Sequence, residues 1–252
     1  MNRELRAENS KGMRMVPDKL INEFVGKLHQ AAGANLKAVI LYGSAAAGEY
    51  VPEHSDINLL CVLGETSFPA IANLAPAAEW WARQRHHAPL LMTAEELRRG
   101  ADVFSIEFLD MKRSYRVLWG DDVLKDLEIP MKLHRAQVEY ELREKTILLR
   151  QRLLAVAGKE EGKWDLLLRS VPAFGTLSRH ALIALGETAA TSKREAVQKL
   201  AAKAGFDAAA IVQLFDIREG KVPRKSLNAD EVFARYLNAV ERITAKVDEL
   251  LD

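Results

Sequence analysis

Residues 41–58, Leu-Tyr-Gly-Ser-Ala-Ala-Ala-Gly-Glu-Tyr-Val-Pro-Glu-His-Ser-Asp-Ile-Asn, hold the densest chemical pattern in the chain. An apolar run from Leu36 to Tyr42 breaks at Gly43-Ser44. Eleven residues follow, and Asp56 and Asn58 then bracket an isoleucine at the head of a second apolar run, Leu59 to Leu63. A polar pair spaced i, i+2 at the start of a strand projects from one face, roughly 6 to 7 Å apart along it. Carboxylate and amide oxygens placed in that way suit a hydrated magnesium ion and the phosphates it carries. Gly43 lets the backbone approach those phosphates, because any Cβ there would crowd them. Ser44 offers a hydroxyl and an amide where the chain enters a short helix, a favourable place for phosphate oxygens; an ordinary helix N-cap is the bland alternative. The pattern points to a nucleoside triphosphate.

Gly-Ser, a spacer of this length and then Asp-hydrophobic-Asp on a strand resembles the signature of the nucleotidyltransferase superfamily. Its bacterial branch includes the aminoglycoside adenylyltransferases and the minimal nucleotidyltransferases. Gly43, Ser44 and Asp56 match that signature, and Asn58 stands at its second acidic position. The family carries a third carboxylate on a later strand, and Phe104–Met111 is the only later strand-like run with embedded acids. Glu107, between Ile106 and Phe108, matches it. Asp110 would face the other way by period-two alternation. The resemblance covers about residues 18 to 125 well and the remainder loosely.

That resemblance implies Mg2+-dependent transfer of a nucleotidyl group, taken here as AMP, with Mn2+ a possible substitute. The donor would be ATP or another nucleoside triphosphate, the acceptor a small molecule or a protein, and pyrophosphate the leaving group. Gly43 and Ser44 would bind the nucleotide, Asp56, Asn58 and Glu107 the metal, and Asp56 and Glu107 would be catalytic. Two metal ions can clamp the attacking and leaving oxygens of an in-line displacement, which is why such sites gather carboxylates. Asp56 would bridge the metals or hold the one bound to the triphosphate. Glu107 would complete the second metal site or accept the acceptor's proton. Asn58 is the departure: its carbonyl oxygen can ligate magnesium but brings no charge. A catalytically silent nucleotide-binding module, acting through a protein partner, is therefore the second reading.

The elements that would position these residues alternate as far as Pro130. Helical spacing covers Pro17 to about Gln30, with Leu20, Phe24 and Leu28 on one face, and strands follow at Lys37–Tyr42 and Asp56–Leu63. A helix from about Pro69 to Arg85 should be kinked or restarted at Pro76. The short apolar stretch Ala88–Met92 leads into Thr93-Ala-Glu-Glu96, a capping box, and Gly100 closes that helix. Val103–Met111 and Tyr115–Trp119 read as further strands. Beyond Pro130 strand signals disappear, and helices are expected over Leu133–Ala157, Lys163–Leu185 (bent at Pro172), 192–204, 207–218 and Asp230–Leu251. The expected fold is α+β: an N-terminal nucleotidyltransferase-like mixed sheet with flanking helices over residues 17–128, then an all-helical bundle over residues 131–252. By resemblance, that bundle would form one wall of the acceptor cleft.

Composition narrows the remaining classes. The chain has 252 residues, 48% of them apolar and 28% charged, with a net charge of +1. So balanced a charge argues against a protein whose whole surface binds nucleic acid. No apolar run approaches the roughly 18 residues of a membrane span. The start, Met1 to Lys11, lacks a signal-peptide core and reads as a frayed tail, and a cytoplasmic location is expected. The single cysteine, Cys61, reads as a small core residue. Lys112, Arg113 and His54 could reach phosphates, but a solvated strand end and a turn explain them as well. Arg143 and Lys145 are accounted for by i, i+4 pairing with Glu139 and Glu141. His86-His87 reads as a polar loop, and Trp80-Trp81 as one buried ring and one at an edge. Arg179-His180 are adjacent, so the Arg-x4-His spacing of helical RNase toxins is missing.

Overall fold

The computed structural model describes residues 16–48, 50, 56–188, 190 and 192–251. The expectations for the tail Met1–Lys11 and for His54 lie outside the described residues. The chain forms two compact units that divide between Pro130 and Met131.

The first unit is built on a four-stranded mixed sheet in the order β3-β2-β1-β4. β1 (Leu36–Tyr42) lies at its centre, antiparallel to both β2 (Asn58–Leu63) and β4 (Tyr115–Gly120). β3 (Leu90–Thr93) runs parallel to β2, with Leu60 opposite Leu90. A parallel pair needs a crossover, and α3 (Phe68–Arg83) supplies it, passing through Pro76 as one helix.

Both faces of the sheet are covered, so the central strands read as continuous apolar runs in which alternate residues serve opposite cores. Val39, Leu41, Leu59, Cys61 and Leu63 pack with Ile21, Phe24 and Leu28 of α1 (Asp18–Ala32) and with Leu74 and Trp81 of α3. Ala38, Ile40, Leu60 and Val62 pack on the other side with Leu97, Phe108, Met111, Leu124 and Leu127. Cys61 is fully buried, and burial pushes its thiol up to about 12, so it is a core residue and no nucleophile.

The structure corrects one expected strand. Residues 105–113 form a helix, α5 (Ser105–Arg113), where period-two alternation predicted β-structure. The alternation of Phe104, Ile106 and Phe108 spans only five residues. It competes with a helical reading in which Ser105, Phe108 and Met111, at i, i+3 and i+6, are all buried. Glu107 in the first turn and Lys112 and Arg113 in the last complement the helix dipole, a charge order that favours the helix over the strand. Glu107 and Asp110 are consequently i, i+3 neighbours on one helix surface and do not face opposite ways.

Two other elements precede the site. α2 (Ser44–Ala47) is one short turn after β1. α4 (Ala94–Arg99) begins with the expected capping box: the Thr93 hydroxyl accepts from the Glu96 amide at 3.1 Å, and Glu96 accepts from the Thr93 amide at 2.6 Å.

The second unit is helical: α6 (His134–Val156), α7 (Glu160–Ala184), α8 (Lys193–Ala204), α9 (Ala209–Arg218) and α10 (Ala229–Leu251). Pro172 lies within α7, which continues through it. The stripe Val232, Tyr236, Val240, Ile243 and Val247 of α10 is buried, as its spacing predicts. Asp207 accepts from the Ala209 amide at 2.8 Å at the start of α9. Arg143 pairs with Glu139 and Asp248, and Lys145 with Glu141 and Glu144, which occupies both cations structurally. Among the described residues, no helix is long and apolar enough to cross a membrane.

Candidate active site

Gly43 turns the chain sharply at the end of β1. Its φ of 75° and ψ of −152° fall in a region essentially restricted to glycine, and its carbonyl caps α2 by accepting from the Ala46 and Ala47 amides at 3.0 and 2.9 Å. A Cβ added there would stand 3.1 Å from the side-chain amide of Asn58. The turn therefore lies directly against the head of β2. Ser44 is the first helical residue of α2, and the N-cap position belongs to Gly43.

Asp56 precedes β2 by two residues and is exposed, Ile57 is buried in the core, and Asn58 opens the strand half-buried. Asn58 sits opposite Tyr42 in the β1–β2 ladder. Burial, and after it the negative charge of Glu107, raises the Tyr42 phenol above its ordinary value. Glu107, exposed on the first turn of α5, is thus electrostatically coupled to the residue that faces Asn58. Gly43, Tyr42, Asn58 and Glu107 gather at one end of the sheet, and Glu107 reaches it from a helix.

Sequence reasoning read His86-His87 as a polar loop, and the structure sets that loop beside Asp56. The Nε2 atom of His87 lies 3.6 Å from the Oδ1 atom of Asp56. Burial lowers the pKa of its neighbour His86, the Asp56 carboxylate works against that shift, and His87 adds to it. A signal was present: a crossover that returns parallel to β2 brings the start of β3 beside the start of β2. Lys112, in contrast, donates to the Lys125 and Leu127 carbonyls at 3.1 and 2.6 Å and ties the end of α5 to the following loop.

The donor set can be compared with a divalent cation. Asp56 and Asn58 present oxygen donors of the kind that hard cations take, beside a turn without a Cβ. Among the described residues, no group of three or more His, Cys, Asp or Glu side chains is arranged to hold a metal ion. Two such oxygen donors would leave most of a cation's coordination to water and phosphate oxygens.

A mixed four-stranded sheet with flanking helices and a helical C-terminal part makes this an α+β chain. Among solved structures, the chain is similar to the crystal structure of the spectinomycin adenyltransferase AAD(9) from Enterococcus faecialis with ATP and spectinomycin. The TM-score is 0.55 and the identity 14%, over 89% of this chain and 99% of that one. No protein-family model and no curated protein matches the chain by sequence.

Proposed function

We propose that this protein is a nucleotidyltransferase that moves AMP from ATP to an acceptor nucleophile, on a small molecule or a protein, and releases pyrophosphate. The observation that carries this reading is the junction of the Gly43 turn with Asn58, on the fold of an enzyme crystallised with ATP and spectinomycin. Triphosphate oxygens would lie against the Gly43-Ser44 backbone and the Ser44 hydroxyl. Asp56 and Asn58 would hold Mg2+, which when bound neutralises phosphate charge and orients the α-phosphorus.

An acceptor oxygen would form the new bond to the α-phosphorus as the bond to pyrophosphate breaks. Glu107 would take the acceptor's proton, and its exposure on α5 leaves it reachable by an entering substrate. Incubation with α-labelled ATP, Mg2+ and a panel of aminoglycoside and protein acceptors should yield labelled product and pyrophosphate, and Asp56→Ala should abolish both. Turnover that survives Asp56→Ala would remove this site from the mechanism.

A second reading has its own support. Asn58 replaces an acid, and the described residues hold no cluster of three metal-binding side chains. A silent module would bind ATP at the same turn and release no pyrophosphate with any acceptor.

A further inference from the structure

One end of the sheet carries polar side chains that the fold itself does not use. Asn58, Tyr42 and Tyr115 form a row across β2, β1 and β4. Alternation puts Tyr42 with Ala38 and Ile40, and Asn58 with Leu60 and Val62, on the face that Phe108 and Met111 of α5 cover. The Tyr115 hydroxyl donates to Asp122 at 3.0 Å. Among the described residues, the Tyr42 hydroxyl, the Asn58 amide and the Ser44 hydroxyl make no hydrogen bond, although all three residues are half-buried. Polar side chains drawn away from water are nearly always hydrogen-bonded in a native protein, and a group of them that is not calls for a ligand.

The donors of these side chains meet at the Gly43 turn. Direct cross-strand neighbours hold their Cβ atoms about 4.5 to 5.5 Å apart, so Tyr42 and Asn58 stand side by side. The Asn58 Nδ2 atom lies 3.1 Å from the place a Cβ of Gly43 would take, so the amide turns its nitrogen toward the turn. Burial, and then Glu107, raises the Tyr42 phenol above its ordinary value, which keeps it protonated at neutral pH and therefore a donor.

Resting on the reading of the Gly43-Ser44 turn as a triphosphate site, we propose that the Asn58 amide and the Tyr42 hydroxyl form a donor pair that binds a phosphate oxygen of the nucleoside triphosphate. An aspartate at position 58 would offer acceptors alone, whereas asparagine keeps an oxygen for a cation and adds an N–H for the phosphate. Hydrogen bonds to an ionised oxygen are roughly twice as strong as those between neutral groups. The departure of Asn58 from the acidic signature thus exchanges charge on the cation for a direct hold on the phosphate.

The test uses the full chain, a non-hydrolysable ATP analogue and inorganic tripolyphosphate, with calorimetry run first in a chelator and then with Mg2+. Without the cation, Tyr42→Phe and Asn58→Ala should each weaken binding of both probes about tenfold or more. Ligand-free Tyr42→Phe should melt no lower than the wild-type protein, since the hydroxyl it loses has no hydrogen bond among the described residues. Unchanged affinity in either variant, with binding still weakened by Ser44→Ala, would overturn the donor pair and leave the nucleotide site in place. A loss confined to the ATP analogue would put the donors on the nucleoside and overturn the phosphate assignment. A loss seen only with Mg2+ would make Asn58 a cation ligand alone and overturn the pair as well. Binding of neither probe to the wild-type protein, with or without Mg2+, would overturn the pair and the nucleotidyltransferase reading together.

Discussion

Asn58 and Asp56 differ by one charge, and that difference is open to experiment. Asn58→Asp would place a second carboxylate about 4 Å from a bound cation, an interaction of about 4 kcal/mol at an effective dielectric near 20, before desolvation is subtracted. Cation affinity, measured by calorimetry with Mg2+ and the ATP analogue, should rise. Transfer should rise with it if the site is catalytic and stay absent if the protein only binds nucleotide. Ser44→Ala removes one hydrogen bond to a charged phosphate and should weaken ATP binding by about 1.5 to 3 kcal/mol. Unchanged affinity would take the hydroxyl out of the site. Types and spacing made Gly43, Ser44, Asp56 and Asn58 legible as candidates. They left His87 as part of a polar loop, because its relation to Asp56 exists only across a strand pairing thirty residues apart in the chain.

At the level of elements, the Gly43 turn is the most sensitive joint. Gly43→Ala would force a side chain into a backbone region that costs of order 1 to 3 kcal/mol, and its Cβ would press on the Asn58 amide. The denaturant midpoint should fall and nucleotide binding should weaken with it. A variant with wild-type stability and binding would show that the turn adapts freely. α5 carries the opposite lesson. Its sequence satisfies both periods over five residues, and burial of Phe108 and Met111 against Ile40 and Leu60 decides for the helix. Glu107 reaches the end of the sheet either way, but from a helix it belongs to a surface shared with Asp110.

For the whole molecule, acid should be destabilising through a buried histidine pair in the helical unit. His134 and His180 are buried, with ring centroids 5.2 Å apart. Burial, and then the neighbouring His180, pushes His134 down to about 4. Its ordinary value is near 6.5, so between these limits the unfolded chain takes a proton that the folded chain refuses. The stability contribution of the neutral ring is therefore fully present above about pH 6.5, shrinks as pH falls and is gone near pH 4. Thermal melting followed from pH 7 to pH 4 should show that decline, and His134→Leu should flatten it. A variant that melts with the same pH dependence as the wild-type protein would assign the acid sensitivity to other groups.

The α+β class, the helical second half and the polar residues at the head of β2 could be read from the amino-acid order alone. Each depends on a local period or on a short spacing along one strand: Leu36–Tyr42 as an apolar run, Val232 to Val247 as a stripe, Asp56 and Asn58 two residues apart. Only the tertiary structure decided that α5 is a helix, that the Gly43 turn abuts Asn58, and that Trp81 anchors His87 beside Asp56. These relations arise from non-local pairing, in which the parallel return of β3 and the packing of Phe108 select among local readings that the chain leaves nearly equal.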